Sequence, residues 1–311
     1  MTLEIVLNEL SLKNPAPDIN TARKWMSDFI NTLRLINENA KSTTPYTHYE
    51  FYNTVLAPNY SLSNWLYDRE IDRDDQRLIL TLTNQPFTEE VNIDNYEFSY
   101  EGESVIGLGV AYLLDALLIS ILSEPKWDCT YLSLKIRRID ENEELLEENR
   151  ELPHISCSDH LQEHTDWIQN RIKIQIYDGV ELWKLKEELF PRLEFCDSVG
   201  KQLQNIKRGQ LELKLVREAL SQLDSCCQNW TSGSFSSEGY SIEISPESTV
   251  TLNQYSQERT FRCPDGQERL FEQHIKLRVC NWRIHFYPKE EPGKVIIGYI
   301  GRHLPTDKYP T

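Results

Sequence analysis

The sequence predicts an α+β protein with two parts: an N-terminal acidic, mixed α/β domain over residues 1–191, and a C-terminal domain over residues 192–311 built from a helix pair and an antiparallel sheet. Three observations carry this. The chain has 311 residues, more than one ordinary core requires. Its first part alternates segments of period two with segments of helical period. Beyond residue 191, two helical segments are followed by strand-like segments punctuated with Ser, Gly and Pro. A boundary near 232 is the alternative, but it leaves five short strands with no helix to cover them.

The elements follow in order. Leu3–Leu7 reads as a short strand. Pro15 and Pro17 mark a loop, and Asp18 or Asn20 caps a helix whose apolar positions Ala22, Trp25, Met26, Phe29, Leu33 and Ile36 share a face. The run DREIDRDDQR, residues 68–77, reads as a solvated helix or loop; its Asp68, Asp72, Asp74 and Asp75 lack the glycine and the spacing of a calcium loop. Gly107 to Leu122 is apolar except for Asp115 and reads as a buried helix, too short and too charged for a membrane span. Gly107 and Gly109 lack the third glycine of a dinucleotide loop. TYLSLKIRRI (130–139) and RIKIQIY (171–177) alternate as strands do, and the acidic DENEELLEENRE between them belongs to the surface. Asp178 caps a helix that Pro191 ends.

After residue 191, LEFCDSVGKQLQNIK and QLELKLVREALSQLDSC read as helices hinged at Gly209. TSGSFSSEGYS (231–241) is a loop. Strands are expected at Ile242–Ile244 and Arg259–Cys263, then a turn at Pro264-Asp265-Gly266 and three more strands.

Net charge is −16, which opposes nucleic acid as a partner, yet it is unevenly spread. Residues 251–311 hold ten Lys and Arg against seven Asp and Glu, a balance of +3 that leaves −19 on residues 1–250. The seven cysteines have no CxxC spacing and fit free thiols in a reducing cytoplasm. No secretory pattern opens the chain, and no membrane contact is expected.

The basic end has an alternating pattern. In HIKLRVCNWRIHFYP, residues Ile275, Leu277, Val279, Trp282, Ile284 and Phe286 fall on one face, and His274, Lys276, Arg278, Arg283, His285 and Tyr287 on the other. A tight turn at Cys280-Asn281 makes paired numbers sum to 561, setting Lys276 opposite His285 and Arg278 opposite Arg283. Opposed like charges cost roughly 0.2–1 kcal/mol, so acidic residues of the N-terminal domain or a bound phosphate backbone must compensate. A solvated sheet face with splayed side chains is the plainer alternative. The last strand, KVIIGYIGRHLPT, is apolar on both faces and delivers Arg302 and His303 past its end, with Tyr309 a few residues on.

The pieces HIKLRV, NWRIHFYP and VIIGYIGRHLPTDKY resemble the RelE/ParE toxin superfamily, in particular its ribonuclease members, over at most residues 192–311. The resemblance implies an RNA-cleaving fold that needs no metal or other cofactor. By motif position Lys276, Arg283, Arg302 and Tyr309 would carry the chemistry, with His285 and His303 as further acid/base groups. Unlike the small basic members of that family, this chain is acidic and has a long N-terminal extension.

The expected function is a metal-independent endoribonuclease. His285 or Tyr309 would take the 2′-hydroxyl proton, Lys276, Arg283 and Arg302 would stabilise the phosphorane, and His303 would protonate the leaving oxygen. His274, Arg278 and Tyr287 would contact RNA, ribosome-associated RNA included, and the acidic domain would bind a protein regulator. The alternative is a non-catalytic module that binds RNA or protein. A third reading has the +3 segment dock on the acidic body. His154, Cys157, His160 and His164 have spacings a metal can use, and the sequence leaves that question open.

Overall fold

The structure, a computed structural model, describes residues 3–40, 45–84, 86, 96–139, 145–173 and 176–306. The fold class is α+β. The chain divides into two compact units, Met1–Arg138 with Glu147–Gln175, and Ile139–Leu146 with Ile176–Thr311.

The first unit contains, in order, β1 (Ile5–Leu7), α1 (Ile19–Asn39), β2 (Val55–Ala57), β3 (Tyr60–Ser61), α2 (Leu62–Leu66), α3 (Arg73–Leu82), β4 (Glu97–Tyr100), β5 (Glu103–Ser104), α4 (Gly107–Leu114), β6 (Leu117–Ile119), β7 (Tyr131–Ile139), β8 (Leu145–Ile155) and α5 (Thr165–Lys173). Its mixed sheet runs β1-β6-β8-β7-β4-β5. Asp18 caps α1 by accepting from the Thr21 amide, and the buried face of α1, with Ala22, Met26, Phe29, Leu33 and Ile36, shares a core with Ile5, Leu7, Leu117 and Ile119. Each such side chain contributes roughly 1.5–3 kcal/mol by leaving water.

Two expectations fail in this unit. The apolar run from Gly107 is a helix only as far as Leu114; Asp115 then adopts a left-handed conformation with φ 55°, and Leu117–Ile119 becomes an inner strand parallel to β1 and β8. A fully apolar run has no periodicity to separate a buried helix from a buried strand. Likewise Arg171–Lys173 ends α5 rather than opening a strand, and Arg171 donates to the carbonyls of Leu114 and Asp115. The acidic run beyond residue 144 is part of β8, where Glu147 pairs with Lys135 and Arg137.

The second unit contains α6 (Gly179–Leu189), β9 (Leu193–Phe195), α7 (Asp197–Gln204), α8 (Leu211–Asn229), β10 (Ile244–Pro246), α9 (Thr249–Tyr255), β11 (Thr260–Arg262), β12 (Glu268–Leu270), β13 (Gln273–Leu277), β14 (Trp282–Pro288) and β15 (Val295–Arg302). Its sheet runs β10-β13-β14-β15-β9 and is antiparallel except at the edge strand β9, which lies parallel to β15. Leu193–Phe195, expected to be helical, forms that edge. The division falls at Gln175/Ile176 and not at 191, because α6 packs on α7 and α8. The indole of Trp183 lies so close to Gly200 that a Cβ there would stand 2.9 Å from the ring.

Ile275, Ile284 and Ile300 line one face of this sheet and are buried. The other face lies under a two-stranded ribbon, β11 with β12, which follows α9. The ribbon sits directly on the sheet: a Cβ on Gly298 would lie 2.5 Å from Phe261 and 2.8 Å from Phe271. Phe261 also stacks on Tyr299, with centroids 6.1 Å apart. The alternation of β13 and β14 predicted two faces correctly, but gave no sign of what covers the polar one.

Candidate functional site

The β13–β14 pairing has residue numbers summing to 559, two fewer than a tight turn gives. Lys276 faces Arg283, His274 faces His285, and Ile275 faces Ile284. The turn is wider because Arg278–Cys280 forms a 3-10 turn that closes on Asn281 at φ 53°, and Asn is among the residues that tolerate a left-handed backbone. A slip of two preserves the faces. His274, Lys276, Arg283 and His285 therefore do share one, whereas Arg278 leaves the ladder for the turn.

The expected site residues divide into three groups. His274, Arg283 and His285 are internal, with exposures of 5%, 3% and 0%. Burial pushes the His274 pKa down to about 3, with Arg283 and Lys276 adding to the effect, and burial followed by the neighbouring His274 holds His285 well below its ordinary value. Both imidazoles are neutral at pH 7.

Lys276 and Arg278 form the second group. Both are bound to one carboxylate, Glu243, with Arg278 Nε 2.5 Å and Lys276 Nζ 3.2 Å from its oxygens. The Arg278 hydrogen bonds, and then those of Lys276, bring the Glu243 pKa down to about 2. The like-charge conflict read from the sequence is thus answered by a residue of the same unit.

The third group lies at the sheet's end. Arg302 is exposed opposite Trp282, and His303 follows, its amide donating to the Asn281 carbonyl. Tyr287 is half-buried between Phe271 and the Arg269 guanidinium, 6.0 and 5.7 Å away. Tyr309 lies outside the described residues. In the ladder Arg302 lies opposite Trp282, three residues from His285, whereas His303 is near enough to His274 and His285 to add to the lowering of their pKa.

Two residues that sequence reading missed complete the interior. Glu247 follows β10, its amide donating to the Glu272 carbonyl, and Arg259 closes the turn after α9. Arg259 is fully buried, with Nε 2.9 Å from Glu247 Oε1. Glu247 Oε1 is also 3.6 Å from His274 Nδ1. The available signal was Pro246-Glu247-Ser248, a strand end running into the Ser248 cap of α9. With no helix expected there, nothing folded Glu247 and Arg259 back over β13.

In the first unit His154, Cys157, His160 and His164 do not converge as a set. His154 Nδ1 donates to the Cys129 carbonyl, and its Nε2 is 2.7 Å from Ser120 Oγ. His164 Nε2 is directed at the carbonyls of Thr130 and His154. Among the described residues two groups have spacings suited to a metal ion: Asp128, Cys157 and His160, at the surface, and Glu247, His274 and His285, inside the second unit. No helix among the described residues is long and apolar enough to cross a membrane. Comparison with family models, with characterised proteins and with solved structures finds no match for this chain.

Proposed function

We propose that this protein is a non-catalytic interaction module whose first unit binds a protein partner. The observation that supports this over RNA cleavage is the complete burial beneath the ribbon of His285, one of the two expected bases, the other being Tyr309 outside the described residues. A general base must come within hydrogen-bond reach of the proton it removes. Of the three expected phosphate stabilisers, Lys276 is engaged by Glu243, Arg283 is buried and Arg302 is exposed, and Glu243 also holds Arg278, an expected RNA contact.

Favouring a protein partner is an open groove of about 680 Å³ in the first unit, of mixed lining, with Leu12, Pro15 and Val55 beside Lys13, His48 and Glu50. Tyr49 and Tyr52, in the same 48–55 segment, are exposed at 65% and 39%. Exposed aromatic residues beside a groove of mixed polarity are typical of protein-binding surfaces, since they bury large area at small entropic cost. Residues 1–175 hold 15 Lys and Arg against 30 Asp and Glu, and this acidic balance favours a partner segment with basic flanks.

The test uses the full chain in cells, with a photo-crosslinking residue in place of Tyr52 and, as control, of Tyr67. A discrete adduct at position 52 and none at 67 supports the reading. In parallel, purified protein is incubated with single-stranded RNA in EDTA. RNA loss that Arg283→Ala or Arg302→Ala abolishes would overturn it in favour of the ribonuclease.

A further inference from the structure

We infer that Glu247, His274 and His285 form a binding site for a divalent first-row transition ion, Zn²⁺ foremost, in the interior of the second unit. Their ligand atoms all lie within 4.8 Å of one another. Two imidazoles and one carboxylate match the three-ligand sets that hold zinc or non-haem iron with a remaining position for water.

Hydrogen bonding fixes which nitrogen of His285 is available. His285 Nδ1 is 3.3 Å from the Phe271 carbonyl, which can only accept, so Nδ1 carries the proton and Nε2 carries the lone pair. That Nε2 is buried and has no hydrogen-bond partner among the described residues. His274 Nε2 is 3.2 Å from Ser245 Oγ, a hydroxyl that can accept its proton, and the buried Nδ1, with no hydrogen-bond partner among the described residues, faces Glu247 Oε1 at 3.6 Å. An imidazole that donates one N–H to a carbonyl or hydroxyl and directs its other nitrogen at a carboxylate is oriented as a metal ligand is. A buried polar atom left unsatisfied is destabilising, and a bound ion would satisfy both nitrogens.

Arg259 acts on the carboxylate. Its Nε lies 2.9 Å from Oε1 of Glu247, an ion pair that keeps the carboxylate charged in the interior. Tetrahedral bonds of about 2.0–2.1 Å put ligand atoms roughly 3.4 Å apart. The 3.6 Å from His274 Nδ1 to Glu247 Oε1 is already near that value.

The full-length protein is unfolded in denaturant with a chelator, then refolded with and without Zn²⁺. We expect one tightly held Zn²⁺ that raises the melting temperature, and an X-ray absorption spectrum showing two imidazoles and oxygen without sulfur. His160→Ala should keep the ion, whereas His285→Gln should weaken binding at least a hundredfold. A sulfur ligand, or loss of the ion in His160→Ala, would assign it to the Asp128–Cys157–His160 group and overturn the inference. No retained ion overturns it as well. If His285→Gln fails to fold, the spectrum of the wild-type protein and of His160→Ala decides.

Discussion

Ser120 Oγ lies 2.7 Å from Nε2 of His154 and also accepts from the Asn8 side chain at 3.0 Å. Because His154 Nδ1 donates to the Cys129 carbonyl, Nε2 accepts from Ser120, and the ring is neutral. Burial pushes the His154 pKa down to about 4. Between pH 6.5 and 4 the unfolded chain takes up a proton that the folded chain does not. Stability from this group is therefore full above pH 6.5 and lost as the pH falls toward 4, by about 3 kcal/mol in all. Denaturant unfolding of His154→Gln should show a shallower slope across that window than the wild type.

Glu243 acts in a lower window. Its pKa is held at about 2 against an ordinary 4.5, so its contribution is full above pH 4.5 and disappears as the pH falls toward 2. The side chain is 43% exposed, so solvent screening limits the effect to roughly 0.2–1 kcal/mol. Glu243→Gln should lose that amount at pH 7, with less loss at high salt, and should match the wild type near pH 2.

Gly298→Val tests the seating of the ribbon. The new side chain meets the rings of Phe261 and Phe271, which cannot retreat without lifting β11 and β12 off the sheet. Overpacking of this kind costs about 1–3 kcal/mol. The denaturation midpoint should fall, and amide exchange should quicken in residues 260–271 more than in α8.

Arg283 and Arg302 provide a contrast. Arg283 is buried in β14, whereas Arg302 is exposed at the end of β15. Arg283→Ala should destabilise by about 2 kcal/mol or more, and Arg302→Ala by roughly 0.5 kcal/mol or less. Equal melting temperatures for the two variants would contradict the placement of Arg283.

By itself the sequence determined the features set by local chemistry: the caps at Asp18 and Asp178, the long helix α8, the Gly266 turn, and the two faces of the β13–β14 hairpin. Period-two alternation assigns a residue to a face whatever its neighbour across the ladder, so His274, Lys276, Arg283 and His285 shared a face in either register. Only the tertiary structure decided the pairing of Lys276 with Arg283, the strand at Leu117–Ile119, and the ribbon over the polar face. Pairing was settled by the left-handed backbone at Asn281, and the strand by the lack of any period in a fully apolar run. The joining of Glu247 and Arg259 to His274 and His285 depended on long-range burial. Alternation records which side chains leave the sheet together; whether they meet water or another layer depends on contacts between segments distant in the chain.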